Sequence, residues 1–254
     1  MQTDVNDILA EMRPILLDEM ENIRLMDRVD AKFVAPTSLL LPLLEQMSPL
    51  FRVQQANDAR VALYRTQYLD TPDCMMFVMH QNGKLNRQKI RIRTYVGANL
   101  SFLEVKNKNN KGRTSKKRVP IGLSQLTSIH ELGSERLLLE KHSLFATDML
   151  EPSLANSFRR ITFVNNRATE RITIDFDLDF LSCKTGNEAT LDKLMVLELK
   201  QQGWQRSDFS ALMSSFRIKR TSFSKYCMGT VLTNANAKYN RFKSKWMLIN
   251  KLIQ

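Results

Sequence analysis

Polar and apolar positions follow two different periods along the chain. In residues 1–26, Val5, Ile8, Leu9 and Met12, then Leu16, Leu17, Met20 and Ile23, recur at near-helical spacing, and Pro14 is expected to divide the stretch in two. Leu39, Leu40, Leu43, Leu44 and Met47 give residues 37–48 an apolar helical face, with Thr37 or Ser38 placed to cap its start. Helices are also predicted over 134–142 and 145–156, and a basic amphipathic one over 238–252. Elsewhere the period drops to two. Alternation marks strands at 28–34, 61–69, 88–95, 100–106, 116–121, 158–165, 171–181 and 194–200, with a less regular ninth at 222–227. No Gly/Ser/Pro linker divides the chain and no repeat of fixed period occurs. The pattern predicts an α+β fold, an antiparallel sheet or barrel with helices at its ends.

Residues two apart on a strand share a face. Arg87, Lys89, Arg91 and Arg93 therefore project together, opposite Ile90 and Ile92. Arg28, Asp30 and Lys32 group likewise, as do Glu104, Lys106 and Lys108, and Glu198 with Lys200. Arg171, Asp175, Asp177 and Asp179 are assigned one face, opposite Ile172, Ile174, Phe176, Leu178 and Phe180. One polar face per strand is the ordinary state of an antiparallel sheet with a wet side. The alternative is a closed lumen. Same-face neighbours about 6.6 Å apart repel by roughly 0.6 kcal/mol in water and ~2.5 kcal/mol at an effective dielectric of 20, so a closed cationic lumen requires compensating anions.

Of 254 residues, 43% are hydrophobic and 25% charged, which suits a globular chain with a sizeable core. The uncharged stretches stop at about a dozen residues, short of the ~20 a membrane helix needs. Asp4, Asp7, Glu11, Asp18 and Glu19 make an acidic start unlike a secretory signal. Cys74, Cys183 and Cys227 are few and far apart, so a reducing, cytoplasmic setting is expected. His80, His130 and His142 form no zinc motif, and Gly83-Lys84 lacks the remaining residues of a nucleotide-binding P-loop. What remains is charge. Lys and Arg number 38 against 26 Asp and Glu, a net +12 that points to a polyanionic partner or to a generally basic surface.

Seven segments follow one another in a recognisable order. They are Arg28-Val29-Asp30-Ala31-Lys32-Phe33, Tyr68-Leu69-Asp70-Thr71-Pro72-Asp73, Lys89-Ile90-Arg91-Ile92-Arg93-Thr94-Tyr95, Phe102-Leu103-Glu104-Val105-Lys106, Arg171-Ile172-Thr173-Ile174-Asp175, Leu197-Glu198-Leu199-Lys200 and Ser222-Phe223-Ser224-Lys225-Tyr226. Together they resemble the VTC (vacuolar transporter chaperone) catalytic domain, a polyphosphate polymerase of the triphosphate tunnel metalloenzyme superfamily. The resemblance implies an eight-stranded antiparallel tunnel barrel over residues 22–232, flanked by the N-terminal helical extension over 1–21 and the basic amphipathic C-terminal helix over 233–254 that the spacing predicts. It implies that Mn²⁺ or Mg²⁺ assists transfer of the terminal phosphoryl group of ATP onto polyphosphate. Carried over by motif, Lys32, Arg91, Arg93 and Lys225 are the catalytic cations. Arg65, Lys89, Lys106, Lys117, Arg160, Arg171, Lys200 and Ser224 bind substrate, with Lys116 and Arg118 as alternatives to Lys117. Glu198 and Glu104 are the metal carboxylates.

The implied partners are ATP and polyphosphate or inorganic phosphate, with a separate membrane partner for translocation and no expected role for nucleic acid. A triphosphate or nucleoside-triphosphate hydrolase on the same scaffold, or a non-catalytic polyanion binder, fits the same cations. Arg28-x-Asp30-x-Lys32 departs from the Glu-x-Glu-x-Lys start of many tunnel metalloenzymes. Residue by residue, bland alternatives stay open. Glu198 could simply pair with a neighbouring lysine, Glu104 could orient basic side chains, and Asp177 and Asp179 could be solvated. His80 reads as structural in a turn, residues 107–117 as a tunnel-mouth flap or a solvated hairpin, and the last helix as membrane-resting or packed on the barrel.

Overall fold

The computed structural model describes residues 2–21, 23, 28–122, 133, 135–203 and 206–254. Its strands are β1 (Pro14–Leu16), β2 (Arg28–Pro36), β3 (Phe51–Gln55), β4 (Ala62–Asp70), β5 (Arg87–Tyr95), β6 (Leu100–Lys108), β7 (Thr114–Ile121), β8 (Glu151–Asn165), β9 (Glu170–Ser182), β10 (Glu188–Leu191) and β11 (Leu194–Gln202). The helices are α1 (Gln2–Glu11), α2 (Leu17–Glu21), α3 (Leu40–Met47), α4 (Met75–Gln81), α5 (Arg136–His142), α6 (Asp208–Ser215), α7 (Lys225–Thr233) and α8 (Lys243–Ile253).

Eight strands form one antiparallel path in the order β2-β11-β9-β8-β4-β5-β6-β7, with β1, β3 and β10 beside it. The alternation read from sequence places a polar row inside and an apolar row outside. The outer row of β2, β11, β9 and β8, including Phe33, Leu197, Ile174 and Phe163, is covered by α1, α3 and α6 through Leu9, Leu43 and Phe209. The outer row of β5 and β6, with Ile90, Ile92, Leu103 and Val105, packs with Leu139 of α5. Among the described residues no ladder joins β7 to β2. Lys32 on β2 nonetheless stands near enough to Lys89 on β5 and Lys106 on β6 to lower their pKa values.

Two helical segments pack at the ends of the inner space. At one end Ile15 and Met20 of the N-terminal segment pack on Val164, and Arg171 donates to the Met20 carbonyl at 2.9 Å. At the other end α7 lies on the inner apolar residues Leu154, Phe158, Leu178, Phe180 and Val196. Gly229 permits this approach, because a Cβ there would collide with the Phe180 and Leu154 side chains.

Several expectations need correction. Residues 145–156 hold only a 3₁₀ turn at Thr147–Met149 before β8 starts at Glu151; Pro152 cannot sit inside a helix, and β4 supplies a ladder instead. Residues 222–227 are not a strand: the Ser224 hydroxyl accepts from the Cys227 amide at 3.3 Å and caps α7. The cap expected at Thr37 or Ser38 is not made, and the Thr37 hydroxyl bonds the Asp192 carbonyl at 3.3 Å. His80 lies in α4, not in a turn.

The face assigned to β9 also breaks. Asp177 has φ +51° and the β8–β9 register slips between Ser157 and Arg159, so the alternation inverts. Asp175 points inward, whereas Asp179 accepts from Ser157 at 3.2 Å on the outer side. Phe176 joins the outer core, and Leu178 and Phe180 join the inner one. Residues 107–117 form the exposed β6–β7 hairpin, turned at Gly112 with φ +74°. The α8 helix packs on β2 and β11, and no helix among the described residues is long and apolar enough to cross a membrane.

Candidate functional site

Cationic side chains from six strands and one helix converge inside the barrel. On β5, alternation sends Lys89, Arg91 and Arg93 inward while Gln88, Ile90 and Ile92 pack outward. Across the ladder Arg91 meets Glu104 on β6, with a 2.7 Å hydrogen bond from Nε and Nη2 in ion-pair contact at 2.6 Å with the same carboxylate oxygen. Lys116 on β7 takes the other oxygen at 2.5 Å. Opposite them, Arg160 on β8 binds Asp175 on β9 through two parallel bonds of 2.6 and 2.8 Å, and Lys225 donates to the same carboxylate. Lys32 on β2 donates to Glu198 on β11 at 2.7 Å, and Lys200 lies 3.9 Å from that carboxylate.

An aromatic floor supports the deeper part. Tyr64 stacks on Phe158 with centroids 5.3 Å apart and planes 12° apart. Arg93 and Arg160 lie over both rings at 4.9–5.9 Å, and the Lys225 ammonium sits 4.3 Å from the Phe158 centroid. α7 is tied to this floor from below. Asp70, fully buried, accepts from the Met76 and Phe77 amides at 2.9 and 3.0 Å to cap α4, and also from the Tyr226 hydroxyl. That bond fixes Tyr226 and with it the adjacent Ser224 and Lys225.

Electrostatics separate two kinds of cation. Burial alone raises a carboxyl pKa, yet Arg91 and Lys116 outweigh it and hold Glu104 at about 2. The same contest leaves Asp175, between Arg160 and Lys225, and Glu198, beside Lys32, well below the usual carboxylate range. The second kind has no carboxylate at salt-bridge distance among the described residues. Lys89 donates only to Ser224 at 2.9 Å, and burial, then Arg91 and Lys32, lowers it to about 8. Lys106, an exposed residue of the same inner row, falls to about 8 through burial and Lys89, with Glu198 acting the other way. Arg93, 8% exposed, reaches only Thr66 at 3.4 Å and is lowered to about 10 by burial, Arg91 and Arg160.

Of the residues singled out from sequence, Lys32, Lys89, Arg91, Arg93, Glu104, Lys106, Arg160, Glu198, Ser224 and Lys225 meet in this cluster. Lys200 and Arg171 face each other across β11 and β9 at its N-terminal-segment end. Two residues do not join. Arg65, between inward-facing Tyr64 and Thr66, points outward to a surface trough beside Gln67, Ser157 and Asp179. Lys117 pairs in register with Val105 of the outer core and is exposed on the outer face, so Lys116 is the β7 lysine that reaches inside. Sequence reasoning missed the Tyr64–Phe158 floor and the role of Asp175 as an anchor for two cations. The alternation Tyr64-x-Thr66-x-Tyr68 opposite exposed Leu63 and Arg65 carried the first signal.

The described residues form no group of three or more His, Cys, Asp or Glu side chains that could cage a metal. Glu104 and Asp175 are almost wholly buried and saturated by cations. Glu198 differs: its side chain is 20% exposed, and Lys200 is 3.9 Å from its second oxygen. A single accessible carboxylate fits a Mg²⁺-type ion held largely by substrate oxygens and water. The metal expectation therefore fits at Glu198 and does not extend to Glu104, whose carboxylate orients Arg91 and Lys116.

The fold is thus an antiparallel barrel with a cationic lumen and helical end caps. A family model, the VTC domain, matches residues 27–234, and the chain belongs to that family. A candidate adenylate cyclase from Bacillus halodurans superposes with a TM-score of 0.51 at 13% identity, covering 78% of this chain and 96% of that one, and shares its fold. A candidate adenylyl cyclase from Hippeastrum, described as having a dominant triphosphatase activity, is similar over 80% of this chain and 95% of that one, at 14% identity and a TM-score of 0.45. No curated protein matches the sequence.

Proposed function

We propose that this chain transfers the terminal phosphoryl group of ATP onto a polyphosphate chain held in the lumen. One observation carries the reading. Lys89 and Arg93 lie on one strand inside the barrel, and neither has a carboxylate at salt-bridge distance among the described residues. Enclosed cations without counter-ions are costly unless an anion arrives.

Phosphoryl transfer needs positioned charge far more than covalent help from the protein. Arg91 and Arg160, oriented by Glu104 and Asp175, keep guanidinium N–H groups for phosphate oxygens. Lys225 adds a cation at the same end of the floor. The Ser224 oxygen already accepts from Lys89 and the Cys227 amide, which leaves its own proton for a phosphate oxygen. A divalent ion on Glu198 would neutralise charge on the group in transit. Lys32, Lys89 and Lys106 extend the positive wall toward a cavity at the tunnel mouth, along which an elongating product would lie.

Incubation of purified protein with ATP and Mn²⁺, resolved on a gel, tests this. Long chains are expected. Released phosphate without chains would replace the reading with hydrolysis, and tight polyphosphate binding without turnover would replace it with a binder.

A further inference from the structure

The mouth cavity, about 260 Å³, lies between the barrel and the C-terminal segment. Lys32, Lys89 and Lys106 line its inner side; Arg87 of β5, Lys108 of β6 and Lys245 of α8 line the rest, and no carboxylate does. Lys245 lies outside residues 27–234, the span of the family match. Its segment is anchored on both sides of the opening. The Arg241 guanidinium occupies the space where Gly83 would carry a Cβ, and half-buried Lys245 donates to the Ser222 hydroxyl. The cavity is strongly positive throughout. His80, which hydrogen-bonds Cys227 at 3.0 Å beside it, is lowered to about 3 by burial and then by Lys89, Arg87, Lys245 and Lys108.

We propose that Arg87, Lys108 and Lys245 form an outer subsite for the linear inorganic phosphate chain as it leaves the lumen, so that α8 gives this protein a preference for long chains over triphosphate. The inference rests on the reading of the lumen as a phosphate channel. An inorganic chain fits better than a nucleoside because the apolar lining residues Phe223, Phe242 and Met228 are 8%, 4% and 2% exposed. The surface left to a ligand is cations, the half-buried His80 and the hydroxyls of Thr114, Ser222 and Ser224.

Calorimetric binding of tripolyphosphate and of long-chain inorganic polyphosphate to the full chain tests it without turnover. Lys245→Ala is expected to weaken the long chain about tenfold and leave tripolyphosphate within about twofold. Lys245→Arg should restore the long-chain affinity, and Lys243→Ala, which removes an exposed lysine of the same helix outside the cavity, should change neither. Should Lys245→Ala unfold, Lys108→Ala carries the same expectation. Equal weakening of both ligands, or unchanged long-chain affinity in the folded variant, overturns the subsite. Wild-type protein that binds long chains yet makes none from ATP removes the polymerase reading and leaves the subsite standing.

Discussion

Arg160 on β8 and Asp175 on β9 stand directly opposite each other and share two parallel hydrogen bonds of 2.6 and 2.8 Å, with Lys225 on the same carboxylate. One buried anion thus orients two of the lumen's cations from different elements. The Asp175 side chain is 4% exposed, so the arrangement is a charge triad withdrawn from water.

Asp175→Asn should expose what that carboxylate compensates. It keeps the shape and removes the charge, leaving Arg160 and Lys225 enclosed without a partner. Breaking a buried pair in this way costs roughly 3–5 kcal/mol. Urea denaturation should show that loss, and added tripolyphosphate should recover part of it by supplying negative charge. An unchanged midpoint would mean that water already reaches the two cations.

Arg93→Met should behave in the opposite manner. Arg93 has no carboxylate at salt-bridge distance among the described residues, and its supports are Thr66 and the two rings of the floor. Losing the ring contacts costs about 1 kcal/mol, and removing an uncompensated charge offsets it. Ligand-free stability should therefore stay within about 1 kcal/mol of wild type. Tripolyphosphate affinity should drop tenfold or more, because a hydrogen bond to a charged group contributes about 1.5–3 kcal/mol. A large stability loss at unchanged affinity would make Arg93 a structural residue.

Glu198→Gln tests the carboxylate assigned to the metal. The amide keeps the strand packing and removes the charge that would hold a divalent ion. Turnover should fall at least 100-fold, as expected for loss of a catalytic electrostatic group, while polyphosphate binding without metal persists or tightens. Full activity in this variant would move the metal elsewhere.

The inward rows of β2, β5, β6 and β11 were legible because side-chain period fixes the face, and the ordered motifs turned those rows into a tunnel. Arg65 and Lys117 were misplaced for the same reason inverted. A motif names a residue, but the pleat decides its side, and both lie one position from inward-facing neighbours. The Asp177 bulge was not legible, since a left-handed residue that is not glycine leaves no mark in the alternation. Helix α7 was hidden in the same way: its cap at Ser224 looks like part of an alternating polar run until the backbone turns. The separation of paired from unpaired cations depends on which strands adjoin, and that order is not local to any segment.

Lumen lysines should give the free protein and its anion complex opposite responses to alkali. Lys89 and Lys106 are each lowered to about 8 from an ordinary 10.5, burial being the largest cause. A group whose folded pKa lies below its unfolded value binds fewer protons in the native state, so stability rises with pH between the two. Their neighbours Glu104, Asp175 and Glu198 stay ionised over that range, His80 stays neutral, and Arg93 loses its proton only near 10. Above about 9 the ordinary thiol value is passed, and Cys74, Cys183 and Cys227, all raised by burial, work in the other direction. The window is therefore about pH 8 to 9. Through it the denaturation midpoint of ligand-free protein should rise while tripolyphosphate affinity falls, measured in the same buffers. Parallel declines would show that these lysines are stabilised as cations by the protein itself and do not wait for an anion.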